Sequence, residues 1–68
     1  MKRINNIKIY EDLDNNALIK HICKKYHILY EDILDWHIIK KSIDARNKDN
    51  IHYLYNIAIS FKSEKKYS

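Results

Sequence analysis

Trp36-His37-Ile38-Ile39-Lys40-Lys41-Ser42-Ile43-Asp44-Ala45, the polar run Arg46-Asn47-Lys48-Asp49-Asn50, and Ile51-His52-Tyr53-Leu54-Tyr55-Asn56-Ile57-Ala58-Ile59-Ser60-Phe61 read together as two long strands joined by a turn. β-branched and aromatic residues dominate both apolar runs, and the residues between them tolerate turn conformations. The Asn-Gly or Asp-Gly pair that would fix a tight hairpin is missing, so the sequence leaves the register open. With Ile51, Tyr53, Tyr55, Ile57, Ile59 and Phe61 on one face, the last strand supplies most of the wall against which a helix packs.

Upstream, Arg3 to Tyr10 alternates as a half-buried strand does, with Asn5, Ile7 and Ile9 on one face and Ile4, Asn6, Lys8 and Tyr10 on the other. Glu11-Asp12-Leu13-Asp14 breaks the pattern. Asp14 or Asn15 then serves as an N-cap, and Ala17, Leu18, Ile22 and Tyr26 recur at helical spacing, which predicts a helix from about Asn15 to Tyr26. His27 to Leu29 reads as a connection, and Glu31 to Asp35 as one helical turn with its acidic residues placed early. The predicted fold is α+β: a small two-layer domain of order β-α-(helical turn)-β-β, one main helix on a mostly antiparallel sheet, with 62–68 as a solvated tail. Its sheet edges are unprotected, and a chain that stops after its longest strand predicts either a homodimer through an edge or docking onto a following domain.

Sixty-eight residues allow one domain with a thin core. The apolar share of 46% exceeds that of a disordered chain, and the charged share of 32% is mixed in sign. No segment approaches the length of a membrane span, and Met1-Lys2-Arg3 is followed by no apolar leader core, so a cytoplasmic location is expected. The single cysteine, Cys23, has no internal disulfide partner and no positioned base, and it reads as a structural thiol. A net charge of +4 invites a nucleic-acid partner. Yet the chain is rich in Ile, Lys, Asn and Tyr and has no Val, the composition of an AT-biased gene, which explains part of the lysine content.

The string Ile38-Ile39-Lys40-Lys41-Ser42-Ile43-Asp44-Ala45-Arg46, a short polar turn and the aromatic-rich strand after it resemble the N-terminal region of bacterial FAD-dependent dehydrogenases, the NAD(FAD)-utilizing dehydrogenase family. Arg3-Ile4-Asn5-Asn6-Ile7-Lys8-Ile9 and Tyr30-Glu31-Asp32-Ile33-Leu34 resemble two further elements of that region. The resemblance implies a fragment that precedes an FAD/NAD-binding domain in a flavoprotein oxidoreductase, with FAD, and NAD(P) beside it, as the parent protein's cofactors. It transfers no residue role. The chain has no glycine, so it cannot supply the G-x-G-x-x-G turn of a standard dinucleotide site, and no catalytic, cofactor-binding or metal residue is assigned within it.

Ser42 and Asp44 share a strand face, and hairpin pairing would bring His52 beside Asp44, a superficial Ser, His and Asp set. A thin domain without glycine turns has few means of building an oxyanion site, so Asp44 and Arg46 read as fasteners of the turn and Ser42 as a cross-sheet hydrogen-bonding group. The four histidines, His21, His27, His37 and His52, lack metal-site spacing. Trp36 reads as a lid on the core, and Tyr53 and Tyr55 as core residues ahead of stacking platforms. The candidate partner or anion contacts are Lys40, Lys41, Ser42, Asp44 and Arg46. Adjacent strand residues point to opposite faces, so only one of the two lysines joins a given surface.

Three functions compete on this basis. The resemblance favours a non-catalytic accessory domain that shapes or gates a flavin site in its own downstream domain. The alternatives are a small basic module that binds RNA or another polyanion through Lys40, Lys41, Arg46 and Lys48, and a dimerisation module.

Overall fold

The computed structural model describes residues 1–46 and 49–63. The chain forms β1 (Lys2–Ile9), α1 (Asn15–Tyr26), a 3-10 turn (Tyr30–Asp32), β2 (Ile33–Asp44) and β3 (His52–Phe61). The three strands make one sheet in the order β1-β3-β2, and both pairings are antiparallel. The α+β architecture of one helix on a small antiparallel sheet is therefore as the sequence predicts. The hairpin register is Trp36 opposite Ile59, Ile38 opposite Ile57, Lys41 opposite Tyr55 and Asp44 opposite His52.

Asp14 is the N-cap of α1, its Oδ1 accepting from the Ala17 N–H at 2.8 Å. The buried face of the helix is Leu18, Ile19, Ile22 and Cys23, so Ile19 and Cys23 take places assigned from sequence to Ala17 and Tyr26. That face is one residue broader than a single-file i, i+4 stripe, as a helix lying flat on a sheet requires. His27 ends the helix rather than simply connecting it. It adopts the left-handed conformation (φ 57°, ψ 45°), and its N–H donates to the Cys23 carbonyl. Glycine holds such a position at no steric cost, whereas a side chain there costs about 1 kcal/mol. His27→Gly is thus expected to stabilise the domain by up to about 1 kcal/mol, read as a higher urea midpoint at unchanged slope.

The expected face pattern of β1 is corrected by a bulge. Ile4 pairs with Ile57 and Ile7 with Tyr55, so β1 uses three steps where β3 uses two. Asn6 absorbs the extra residue at φ 58°, and its N–H donates to Asn56 Oδ1 at 2.9 Å. The slip carries Ile4 onto the face of Ile7 and Ile9, and all three are buried. Two other boundaries move. The helical turn predicted over Glu31 to Asp35 is a 3-10 turn ending at Asp32, because Ile33 already pairs with Phe61 and the Lys62 N–H donates to the Asp32 carbonyl at 2.9 Å. Ile51 precedes β3 and is exposed, so the shared face begins at Tyr53.

The buried cluster comes from β1 (Ile4, Ile7, Ile9), α1, Ile28 and β3 (Tyr55, Ile57, Ile59, Phe61). No member comes from β2, the longest strand, which adds only half-buried Ile33, Trp36 and Ile38 beside it. Trp36 packs against the core from a strand position, consistent with a lid.

Candidate functional site

Residues opposite one another on antiparallel strands share a face, so the register assigns the Lys40 to Arg46 segment to both sides of the sheet. Lys41 pairs with Tyr55 and lies on the helix side, whereas Lys40 pairs with Asn56, Ser42 with Leu54 and Asp44 with His52 on the helix-free side. The two lysines are separated as strand alternation demands. They cannot grip one ligand from the same face.

Lys41 is engaged within the domain. Its Nζ stands 3.4 Å from Asp12 Oδ1 in the loop before α1, and 4.7 Å and 5.6 Å from the ring centroids of Tyr53 and Tyr55. The hydrogen bond to Tyr55 raises the lysine pKa above its ordinary range, with smaller support from Asp12 and partial opposition from lost solvation. The carboxylate is well exposed, so the ion pair is screened and fixes the side chain's place more than it stabilises the fold. Tyr55 is buried in the core and the half-buried Tyr53 carries the Lys41 cation over its ring, which leaves both poorly placed to stack bases.

Asp44, Arg46 and His52 meet at the turn. Asp44 Oδ1 accepts from the Arg46 N–H at 3.2 Å and lies 3.5 Å from Arg46 Nε, while Asp44 Oδ2 is 3.7 Å from His52 Nε2. His52 Nδ1 is 3.0 Å from the Asn50 carbonyl, which can only accept, so Nδ1 carries the proton in the neutral ring. Nδ1 is thereby committed to the turn, whereas Nε2 faces Asp44 Oδ2 beyond hydrogen-bond distance and is attracted to it only when the ring is protonated. A hydrolytic triad needs one nitrogen on the carboxylate and the other free for the nucleophile, so Ser42 gains no base here. Asp44 and Arg46 fasten the turn as the sequence suggests, and Asn47 and Lys48 lie outside the described residues, as does the tail from Glu64 to Ser68.

Two features escaped the sequence reading. A concavity of about 440 Å³ between β1 and α1 is lined by Lys8, Tyr10, His21, Lys24 and Lys25, with no carboxylate. His21, Lys24 and Lys25 reach it because i, i+3 and i+4 residues share a helix face, and that spacing was the available signal. The second is the edge strand β2, where Leu34, Ile39 and Ile43 are exposed. The sequence carries no signal for it, since apolar residues on a strand do not tell which strand the helix leaves uncovered. Cys23 is buried, and the loss of water pushes its thiol pKa up, as fits an unreactive position. Among the described residues no three His, Cys, Asp or Glu side chains group as metal ligands, and no helix is long and apolar enough to cross a membrane.

A family model described as Domain of unknown function (DUF8436) matches residues 1–60. The chain belongs to this family. An uncharacterized protein of Clostridium beijerinckii is 48% identical over 63 residues, which are 93% of this chain and 12% of that protein. The DUF8436 domain thus spans about an eighth of its relative's length.

Proposed function

We propose that this DUF8436 domain is a non-catalytic accessory domain of a longer cytoplasmic oxidoreductase that uses FAD and NAD(P), where it shapes or gates a flavin site built by the rest of the chain. The observation that carries the reading is the share of length: a sequence 48% identical to this one makes up only 12% of the C. beijerinckii protein, the proportion of an appended domain. The class in this proposal is taken from the resemblance of the Ile38 to Arg46 string and its neighbours to the N-terminal region of FAD-dependent dehydrogenases. This chain has no glycine, so on this reading a dinucleotide turn would have to come from the remaining length. The commitment of His52 and Lys41 to internal partners agrees with a supporting role. The test is the visible absorption spectrum of the purified, full-length C. beijerinckii relative. A flavin spectrum bleached by NADH or NADPH is expected, and a protein that stays colourless with added FAD overturns the proposal.

The basic concavity favours one second reading, anion binding. Its site would be Lys8, His21, Lys24 and Lys25 on the β1–α1 side rather than the Lys40 to Arg46 segment. Polyanion affinity falling steeply with salt, and lost in a Lys24→Glu, Lys25→Glu variant, would support it.

A further inference from the structure

Charge is segregated in this fold. β1 and α1 carry six basic residues, Lys2, Arg3, Lys8, Lys20, Lys24 and Lys25, and no Asp or Glu. From Tyr30 to Asp44, the 3-10 turn and β2 carry Glu31, Asp32, Asp35 and Asp44 against only Lys40 and Lys41. A codon bias adds lysine to every segment alike, so it does not account for this division. The helix dipole favours Lys24 and Lys25 in the last turn of α1 but has no bearing on Lys8. β1 is an edge strand, and at its open side Lys8 and Tyr10 meet His21, Lys24 and Lys25 around the concavity of about 440 Å³. Neither Lys8, Lys24 nor Lys25 is paired with a described carboxylate. An adjoining hollow of about 270 Å³ shares Lys8, Tyr10 and His21 and adds Ile9, Leu13 and Glu11.

We infer that this flank binds single-stranded nucleic acid, its phosphates held by Lys8, Lys24 and Lys25 and one base laid on Tyr10. The inference rests on the anion-binding reading, to which it gives a ligand, and it does not depend on the flavin reading. A positive groove beside an exposed aromatic ring suits a single strand, whose bases are free to stack and each present a π-face. Tyr10 can take that role. Its ring stands 5.4 Å from the His52 ring, which steadies it, while 63% of the residue stays exposed. Tyr26 cannot, because Lys25 Nζ already lies 5.9 Å over its ring. The two hollows differ in polarity, and this orients the ligand. Glu11 repels phosphate and accepts hydrogen bonds from base amino groups, so the base lies towards Ile9, Leu13 and Glu11 and the phosphates towards Lys24 and Lys25. A duplex keeps its bases stacked on one another and offers Tyr10 no free face.

The experiment is a fluorescence-anisotropy titration of the 68-residue chain with a short labelled single-stranded DNA of mixed sequence, its matched duplex, and heparin. Three phosphate contacts predict that log K falls with log salt at a slope of about −2 for the single strand. Lys24→Glu with Lys25→Glu is expected to weaken binding about ten-fold or more and to flatten the slope to about −0.7. Tyr10→Ala should weaken it about five-fold or more at an unchanged slope, since it removes stacking and no charge. Lys40→Glu, on the far strand, should leave binding as it was, and the far-ultraviolet circular dichroism of each variant shows that it is folded. A duplex bound as tightly as the single strand, a Tyr10→Ala variant without effect, or an equal loss in Lys40→Glu overturns the inference. Heparin bound while the single strand is not overturns the nucleic-acid ligand and leaves the anion-binding reading standing. Neither bound at low salt overturns both.

Discussion

Ile57→Ala is expected to remove roughly half of the domain's stability and to lower its urea midpoint in proportion. Ile57 sits on the central strand with Ile4 and Ile38 opposite it on either side, and its side chain has no solvent exposure. Truncating a fully buried isoleucine removes its transfer free energy and leaves a cavity, at a cost of about 2–5 kcal/mol. At ordinary per-residue stability a domain of this length has about 3–10 kcal/mol in total. The neighbours cannot collapse into the gap without breaking the pairing of both outer strands with β3, so the upper part of that range applies. Far-ultraviolet circular dichroism with a urea titration checks this, and a midpoint close to that of the unsubstituted chain would contradict the assigned core. Ile43→Ala is the matched control. At 63% exposure it should cost less than about 0.5 kcal/mol.

The parts of the fold legible in sequence were those governed by local rules. Asp14 and the spacing from Ala17 onward located α1, and the two apolar runs around Arg46 to Asn50 located the hairpin. What escaped was decided between elements. A two-residue alternation assigned Ile4 to the wrong face because nothing in Asn5-Asn6 announces a bulge until Asn56 offers its side-chain oxygen across the sheet. The central place of β3 was likewise hidden, since chain order alone does not say that β1 pairs with the last strand. The exposure of Ile39 and Ile43 was hidden for the same reason: hydrophobic spacing reveals which residues seek cover but not how far a single 12-residue helix extends. At the candidate site, the separation of Lys40 from Lys41 followed from strand alternation, whereas the engagement of Lys41 with Asp12 required the loop before α1 to fold back over Tyr53.

The second large effect is expected on deletion of the domain from the C. beijerinckii relative. On the proposed function, an accessory domain without a dinucleotide-binding turn contributes little to holding FAD, so the remaining chain should retain the flavin that the proposal assigns to it. A domain that gates the site controls how reductant and solvent reach it, so the rate of flavin reduction by NADH or NADPH should change by about ten-fold or more. Recording the flavin spectrum and its reduction by NAD(P)H in the intact and domain-deleted relative, side by side, is the most direct test of the account. Retained flavin with an altered reduction rate is the predicted result. Flavin lost on deletion, an unaltered rate, or an intact protein that holds no flavin at all would contradict it.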